Sequence, residues 1–592
     1  MELATKEMEM GKSELAKNVY NVSMFRVCEQ CGCCSSACPL TGKNGFNIRR
    51  IIRHLELDLA DEVADSPLPW SCTTCGRCED ACPNGIKILD LIRFLRQSSP
   101  EKWVPEGPPC ILACPVHINI PEYLRLIAQG KIDEAYALIR EKVPFPGILG
   151  RVCTRPCEDK CKRGEVNNPV SICVLKRYVA DNEKVSHEKF LQVSKDTGHK
   201  IAIIGAGPSG LTAAFYIRKK GHQVIIFEGK SEPGGMMYSA IPAYRLPQEV
   251  VKKEIQQVLD VGIELKTGKK LGGDFDIPQL KADGYEAVYI ATGGSLSRKI
   301  GLEGADLNGV FWGVDFLYEL KEKKEIILKD RVIVIGGGNV AVDVALTALR
   351  LGAKEVTLAC LESREEMPAN EWEIKQALEE GIIIMPSWGP SRILGSNGNV
   401  SGIELIQCTS VFDKDNNFNP TLDNNIKTLV DVDIVMLAIG QAADLSFVEG
   451  SKVPLKVDRG IIVVNKTTQE TNIPGVFSGG DVAGLPGTII EAISAGRRAA
   501  SSIDRFLGGD GNIDETFVKI PLIQLTLGRR KKGFADLRRI EENKLLINER
   551  KNNFTEVELG FNQDQGQSEA MRCLECDSEI NACLKTYKKS VI

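Results

Sequence analysis

The sequence predicts a chain that is α/β over most of its length, with small helical cysteine-rich modules in front, and three observations carry that prediction. The first is a pair of Gly-x-Gly-x-x-Gly/Ala turns, Gly205 to Gly210 and Gly336 to Ala341, each following an apolar strand and opening a helix. The second is the spacing Cys28-x2-Cys31-x2-Cys34-x3-Cys38-Pro39, repeated at Cys72-x2-Cys75-x2-Cys78-x3-Cys82-Pro83. The third is distribution: cysteines fall in blocks 28–82, 110–173 and 573–583, and only Cys360 and Cys408 lie between the last two. Together these predict an α/β chain in which two nested Rossmann-like dinucleotide-binding domains are preceded by two helical iron–sulfur domains.

A [4Fe-4S] cluster needs a thiolate at each corner, and three closely spaced cysteines can wrap one face while the fourth, before a proline, serves the other cluster of a pair. By that rule Cys28, Cys31, Cys34 and Cys82 hold one cluster and Cys72, Cys75, Cys78 and Cys38 hold the second, leaving Cys33 over. A zinc ribbon would use two Cys-x2-Cys pairs with a longer gap. The order of the cysteines, more than their number, favours iron–sulfur.

At 592 residues the chain exceeds one core, and about one domain per 150 residues gives roughly four. With 43% hydrophobic and 26% charged residues the composition is that of an ordinary soluble protein. A net charge of −5 and no sustained basic face argue against a nucleic-acid binder, and Gly528-Arg529-Arg530-Lys531-Lys532 reads as a solvated turn. Met1 to Glu7 lacks the layout of a signal peptide and no apolar stretch approaches membrane-spanning length, so the expected location is cytoplasmic. Twenty cysteines there should be reduced thiols or metal ligands, which suits an anaerobic cell.

The expected organisation is a two-cluster ferredoxin-like domain (1–98), a Pro-rich linker, a helical cluster domain (110–182), a split dinucleotide domain (199–300 and 445–510), a second one inserted in it (301–444), and a C-terminal extension (511–592). Periodic apolar positions from Ile120 to Arg140 read as helix. In the first fingerprint Gly205 allows the tight turn, Gly207 lets a pyrophosphate approach, and Gly210 lets helix and strand pack; Pro208 and Ser209 open the helix. Glu228, ending the next strand, suits ribose hydroxyls. The second site has Gly336, Gly338, Asn339 and Ala341, then the strand Glu355 to Glu362. Two such sites imply a flavin and a nicotinamide dinucleotide.

Tyr289-Ile290-Ala291-Thr292-Gly293-Gly294 and Asn472 to Asp481 resemble the crossover and C-terminal flavin motifs of two-dinucleotide flavoproteins. That resemblance assigns FAD to the first fingerprint and NAD(P)H to the inserted one, puts Thr292, Gly293, Gly480 and Asp481 against the flavin, with Asp481 at its ribityl chain, and starts a helix beside the isoalloxazine at Gly487. From Cys110 to about Leu507 the chain resembles the small subunit of glutamate synthase, the NADPH-binding part of dihydropyrimidine dehydrogenase and the large subunit of ferredoxin-dependent NADP transhydrogenase. The segments that carry it are Cys110-x3-Cys114-Pro115, Gly150-Arg151-Val152-Cys153-x3-Cys157-x3-Cys161, Pro233-Gly234-Gly235-Met236, Ile241 to Pro247 and Glu366-Met367-Pro368-Ala369. Gly235, Arg245 and Gly440 join the cofactor-contacting positions on the same ground. The first block looks like the two-cluster electron relay of heterodisulfide reductase.

In the resembled family a Cys-x2-Cys pair precedes the Cys-x3-Cys-Pro segment; here its phrase stands at the far end, as Glu569-Ala570-Met571-Arg572-Cys573-Leu574-Glu575-Cys576. The expectation is that the C-terminus folds back, so that Cys110, Cys161, Cys573 and Cys576 hold one cluster and Cys114, Cys153, Cys157 and Cys173 another. Cys173 departs from the family, whose fourth ligand lies nearer Lys176 and is often not cysteine. Cys33, Cys360, Cys408 and Cys583 are left over; the alternatives are that Cys583 displaces Cys110 or that the tail holds a cluster shared with a partner. The family's NADPH binders carry paired arginines after the second strand, whereas this chain has Leu361-Glu362-Ser363-Arg364, where Glu362 favours a free ribose diol although Arg364 could swing in.

The cofactors implied are FAD, NAD(P)H and four [4Fe-4S] clusters. The expected function is an oxidoreductase subunit moving electrons between NAD(P)H and partner redox proteins, ferredoxin among the candidates, in a hetero-oligomer such as an electron-bifurcating transhydrogenase or hydrogenase. A glutamate synthase-type input subunit and a non-catalytic relay adaptor are the alternatives. Disulfide-reductase chemistry needs a close cysteine pair beside the flavin, and Cys360 and Cys408 are isolated. No catalytic acid or base is named.

Overall fold

A computed structural model of the chain describes residues 25–322, 326, 328–448, 454–484, 487–519 and 530–582. Apolar strands, each followed by glycine and a helix, form two parallel five-stranded sheets of the same design. In the first the order is Val476–Ser478, Ala287–Ile290, Lys200–Ile204, Gln223–Phe227 and Glu264–Lys266. In the second it is Val310–Trp312, Ile434–Leu437, Arg331–Ile335, Glu355–Cys360 and Ile383–Pro386. Each fingerprint follows the central strand, where a parallel sheet opens its crevice at the strands' carboxyl ends.

The first sheet is completed by a strand lying beyond the second, so the second domain is an insert. Its entry and exit, Leu296–Ser297 and Gln441–Ala442, pair antiparallel. A three-stranded antiparallel sheet, Trp388–Ser396, Asn399–Phe412 and Phe418–Val430, packs on the insert.

In front, helices Ile48–Glu56 and Ile88–Gln97 bury Ile51, Ile52, Leu55, Leu91, Ile92 and Leu95 in a core separate from the rest. Asn47 caps the first of these helices by accepting the N–H of Arg50. The middle module shares its core with the first sheet: Ile127, Ile139, Phe145 and Leu149 belong to the cluster that holds Ile201, Ile203 and Phe215. The stretch Ile120 to Arg140, expected as one helix, is two, Ile120–Ala128 and Ile132–Arg140. Gly130, at φ 75, supplies the left-handed turn between them, and the pair can then pack against each other.

The C-terminal segment runs across all four modules. Arg550 is buried against Glu380 of the insert, Val557 donates to the carbonyl of Tyr244, and Glu569 accepts the N–H of Ser171. Arg93 and Arg96 of the first module close on Glu579. Among the described residues no helix is long and apolar enough to cross a membrane.

Candidate functional site

Three Cys-x2-Cys loops share one backbone conformation. Gln30, Thr74 and Glu575, each just before the second cysteine, are left-handed at φ 57, 52 and 51. Each donates its N–H to the sulfur of the first cysteine, Cys28, Cys72 or Cys573, at 3.4 Å. Non-glycine residues hold this conformation only where the surroundings over-determine it, and N–H groups aimed at sulfur favour thiolate.

The side chains gather in quartets. Cys28, Cys31, Cys34 and Cys82 line one cavity with Arg49 and Ile52. Cys38 lies within electrostatic reach of Cys72, Cys75 and Cys78. Cys110, Cys161, Cys573 and Cys576, drawn from distant parts of the chain, line another cavity. Burial, then mutual repulsion, pushes Cys110 and Cys573 far above the ordinary thiol value, and burial, opposed by the charge of Lys162, takes Cys576 to about 11. Thiols crowded in apolar surroundings become thiolates only around a strongly cationic centre, which an iron–sulfur core supplies.

The fourth group is less symmetrical. Cys114, Cys153, Cys157 and Cys173 all surround the buried ammonium of Lys176, and although burial disfavours its charge, their charges raise its pKa. The Cys173 sulfur donates to the carbonyls of Leu149 and Gly150, both at 3.3 Å. To bind iron as thiolate it must leave those two oxygens. Cys33 is exposed, and its N–H and thiol both point at Cys31, holding that sulfur below the ordinary thiol value. Cys583 lies outside the described residues.

The dinucleotide cradles are built on glycine. A Cβ on Gly205, at φ 105, would meet the carbonyl oxygen of Ala291 at 2.4 Å, and one on Gly336, at φ 141, would meet that of Ala438 at 2.3 Å. Around the first turn, Glu228 accepts the N–H groups of Ala206 (2.7 Å) and Lys230 (2.9 Å). Gly235 packs on Gly207, and Ser209 shares a 2.6 Å hydrogen bond with Tyr289 beneath Gly480. Thr292 Oγ1 is buried without a partner, and burial followed by the charge of Glu491 pushes the Asp481 carboxyl up to about 6. An orphaned hydroxyl and a poorly solvated carboxyl in one crevice fit a ligand rich in hydroxyls, as a flavin dinucleotide is. Gly293 is left-handed at φ 74 with open space at its Cα. The helix expected from Gly487 begins at Ile489, because Thr488 and Glu491 form a capping box. Ser494 on that helix donates to the carbonyl of Pro115 (2.7 Å), which joins the flavin crevice to Cys114.

In the insert Gly338 faces open space, Asn339 accepts the N–H of Asn370 (2.8 Å), and buried Ala341 lets the helix approach the strand. Glu362 folds over the turn, its Oε2 2.8 Å from where a Cβ on Gly337 would sit. Arg364 is engaged by Glu371 at 2.9 and 3.1 Å, and Gly440 at φ 115 lies beside Arg298. Arg245 is held by Asp343 and Glu373, at 2.6 Å each, and so bolts the insert's helices to the first domain.

Residues 199–496, half the chain, match the pyridine nucleotide-disulphide oxidoreductase family. The chain belongs to that family. Residues 105–188 match dihydropyrimidine dehydrogenase domain II, 4Fe-4S cluster, and residues 24–86 match a 4Fe-4S dicluster domain. This member of the pyridine nucleotide-disulphide oxidoreductase family is therefore an iron–sulfur flavoprotein oxidoreductase subunit; FAD, NAD(P)H and [4Fe-4S] clusters are implied by the matched families. The beta subunit of NADP(+)-dependent formate dehydrogenase from Moorella thermoacetica is 37% identical over 504 residues, 79% of this chain and 70% of that one. The NADPH-Fe(3+) oxidoreductase subunit beta of Geobacter sulfurreducens is 31% identical over 607 residues, 92% and 88% of the two chains. The small chain of NADPH glutamate synthase from Escherichia coli K12 is 32% identical over 421 residues, 68% and 89%.

Sequence reasoning passed over Arg530, read as part of a solvated turn. Its side chain is only 14% exposed and donates to the carbonyls of Thr74 and Leu574. The rest of that run is Lys531 and Lys532, with Gly528 and Arg529 outside the described residues. No local pattern marks Arg530, because its partners belong to two other parts of the chain.

Proposed function

We propose that this chain is the nucleotide-handling subunit of a multi-subunit redox enzyme and moves electrons between NAD(P)H and a partner protein through FAD and four [4Fe-4S] clusters. The observation that carries the reading is the cavity lined by Cys110, Cys161, Cys573 and Cys576, since it brings the displaced Cys-x2-Cys phrase of the C-terminal segment back to the middle module. When bound, a flavin takes hydride from nicotinamide and hands on single electrons, which iron–sulfur clusters carry.

The chain's own residues position these groups. The Gly205 turn and the helix it opens face a pyrophosphate, Glu228 takes ribose hydroxyls, and Thr292 and Asp481 meet the flavin side. Lys176 holds positive charge at the quartet nearest the flavin. Cys31 is exposed in the first module, and on that side we place the docking of a partner.

Glu362 supports NADH, because a carboxylate accepts from a ribose diol and repels a 2′-phosphate. The relatives above carry NADP(H) in their names, so the two nucleotides are to be compared directly. The finer setting, an electron-bifurcating transhydrogenase or hydrogenase complex, is supported by the joining of a two-electron nucleotide end to a long single-electron relay. A glutamate synthase-type input role is the second reading, favoured by the 32% identity to that small chain.

Anaerobic purification with flavin and iron assays, followed by NADH or NADPH addition, tests the proposal. Flavin bleaching by either nucleotide is expected. No bleaching with either would leave the relay-adaptor reading instead. Proteins that copurify with the chain name the partner and decide between the complexes.

A further inference from the structure

Two Cys-x2-Cys loops from opposite ends of the chain are tied by one guanidinium. Arg530 donates through Nε to the carbonyl of Thr74 (3.3 Å) and through Nη2 to that of Leu574 (2.6 Å). Thr74 lies between Cys72 and Cys75, and Leu574 between Cys573 and Cys576. The same guanidinium stacks over Phe534 at 4.8 Å, and Arg163 does so at the same distance. Cys75 and Cys576 pack into one apolar cluster with Leu574, Phe534 and Val166. One corner of each quartet therefore meets across an apolar, packed gap that a cation bridges.

Resting on the four-cluster reading, we propose that Arg530 is the positioning residue of the electron junction between the Cys110 quartet and the Cys38 quartet. Each electron given up on one side is taken on the other, with no bond made or broken and no proton moved. Transfer between buried centres falls steeply with separation, so fixing the two loops fixes the rate. A planar fork can hold two carbonyls from two loops at once, which an ammonium cannot do with the same geometry. A fixed positive charge beside both quartets also favours their reduced, more negative forms and raises both potentials.

The test uses the full chain with its clusters assembled anaerobically, as wild type, Arg530→Gln and Arg530→Lys. Iron content, redox titration followed by electron paramagnetic resonance, and freeze-quenched reduction by nucleotide are measured. In Arg530→Gln the two flanking clusters shift to lower potential, the Cys28 quartet's cluster does not, and reduction of the N-terminal module slows roughly tenfold or more. In Arg530→Lys the potentials return toward wild type while the slowing persists. Wild-type potentials and rates in both variants would overturn the proposal. If Arg530→Gln loses iron, Arg530→Lys decides alone, and a wild-type rate in it overturns the proposal. A wild-type chain with fewer than four clusters fails at the underlying reading, before any variant is compared, and overturns both.

Discussion

Glu579 accepts a hydrogen bond from Arg96 Nη1 at 3.1 Å, and the same guanidinium donates through Nη2 to the carbonyl of Cys72 at 2.6 Å. A carboxylate from the C-terminal segment thus sets the backbone at Cys72 of the first module. Arg93 joins the pair at 2.8 Å.

Glu579→Ala removes the carboxylate that two buried guanidiniums share, a loss of about 3–5 kcal/mol. The C-terminal segment should detach, exposing it to limited proteolysis and releasing iron from the Cys110 quartet; wild-type resistance with full iron would contradict this. Burial alone would raise the Glu579 pKa, but hydrogen bonds from Arg93 and the charge of Arg96 outweigh it and hold it below the ordinary carboxylate value. Its stabilisation is therefore complete above that ordinary value and is lost as pH falls through the lowered one.

Truncation before Met571 should remove the iron of one cluster, about four atoms per chain. The paired change Cys573→Ser with Cys576→Ser should do the same. Iron analysis checks both, and an unchanged count refutes the shared cavity as a cluster site.

Cys173 and Lys176 can be separated. If Cys173 ligates, Cys173→Ser loses about four iron atoms per chain. Lys176→Met keeps the thiols but removes the buried cation, and should lower that cluster's potential in a redox titration. Full iron in Cys173→Ser would assign the fourth position elsewhere.

NADH should bleach the flavin faster than NADPH. Glu362→Ala removes a charged hydrogen-bond acceptor and should narrow that preference by about tenfold or more. Stopped-flow absorbance with both nucleotides reads the ratio; an unaltered ratio rules Glu362 out as the discriminator.

Glu254 accepts the N–H groups of Gly147 (2.6 Å) and Ile148 (2.9 Å), yet burial outweighs them and pushes its carboxyl up to about 7. Between its unfolded value and pH 7 the folded protein holds a proton that the unfolded chain has released, so stability falls as pH rises through that window, by about 3 kcal/mol. Denaturant melts of Glu254→Gln should lack this slope relative to the parent.

Much of this was legible because it is local. A strand, a glycine turn and a helix are written in consecutive residues, and both parallel sheets follow from Gly205 and Gly336. Cysteine order, a rule of spacing, grouped Cys28, Cys31, Cys34 and Cys82, and these four side chains line one cavity. The partner of Cys110 was readable only through the displaced phrase around Cys573. Arg530 was misjudged, and the ion pairs of Arg245 went unforeseen, for the opposite reason. Arg245 pairs with Asp343 and Glu373 across the domain boundary, and Arg530 bridges loops whose proximity is purely tertiary. The missed break at Gly130 is a matter of packing: apolar periodicity survives the turn, so only the left-handed glycine betrays it.

Cys161 and Cys573 line one cavity but stand 412 residues apart. At a synthesis rate of about 5–20 residues per second, the wait between them is roughly 20–80 s. Throughout that interval both sheets emerge while Cys110 and Cys161 wait for Cys573 and Cys576. Were a cluster to sit there, its insertion would act as a receipt for near-complete translation: a chain cut short between Leu507 and Cys573 has both dinucleotide folds and the other three cysteine groups, but not this one.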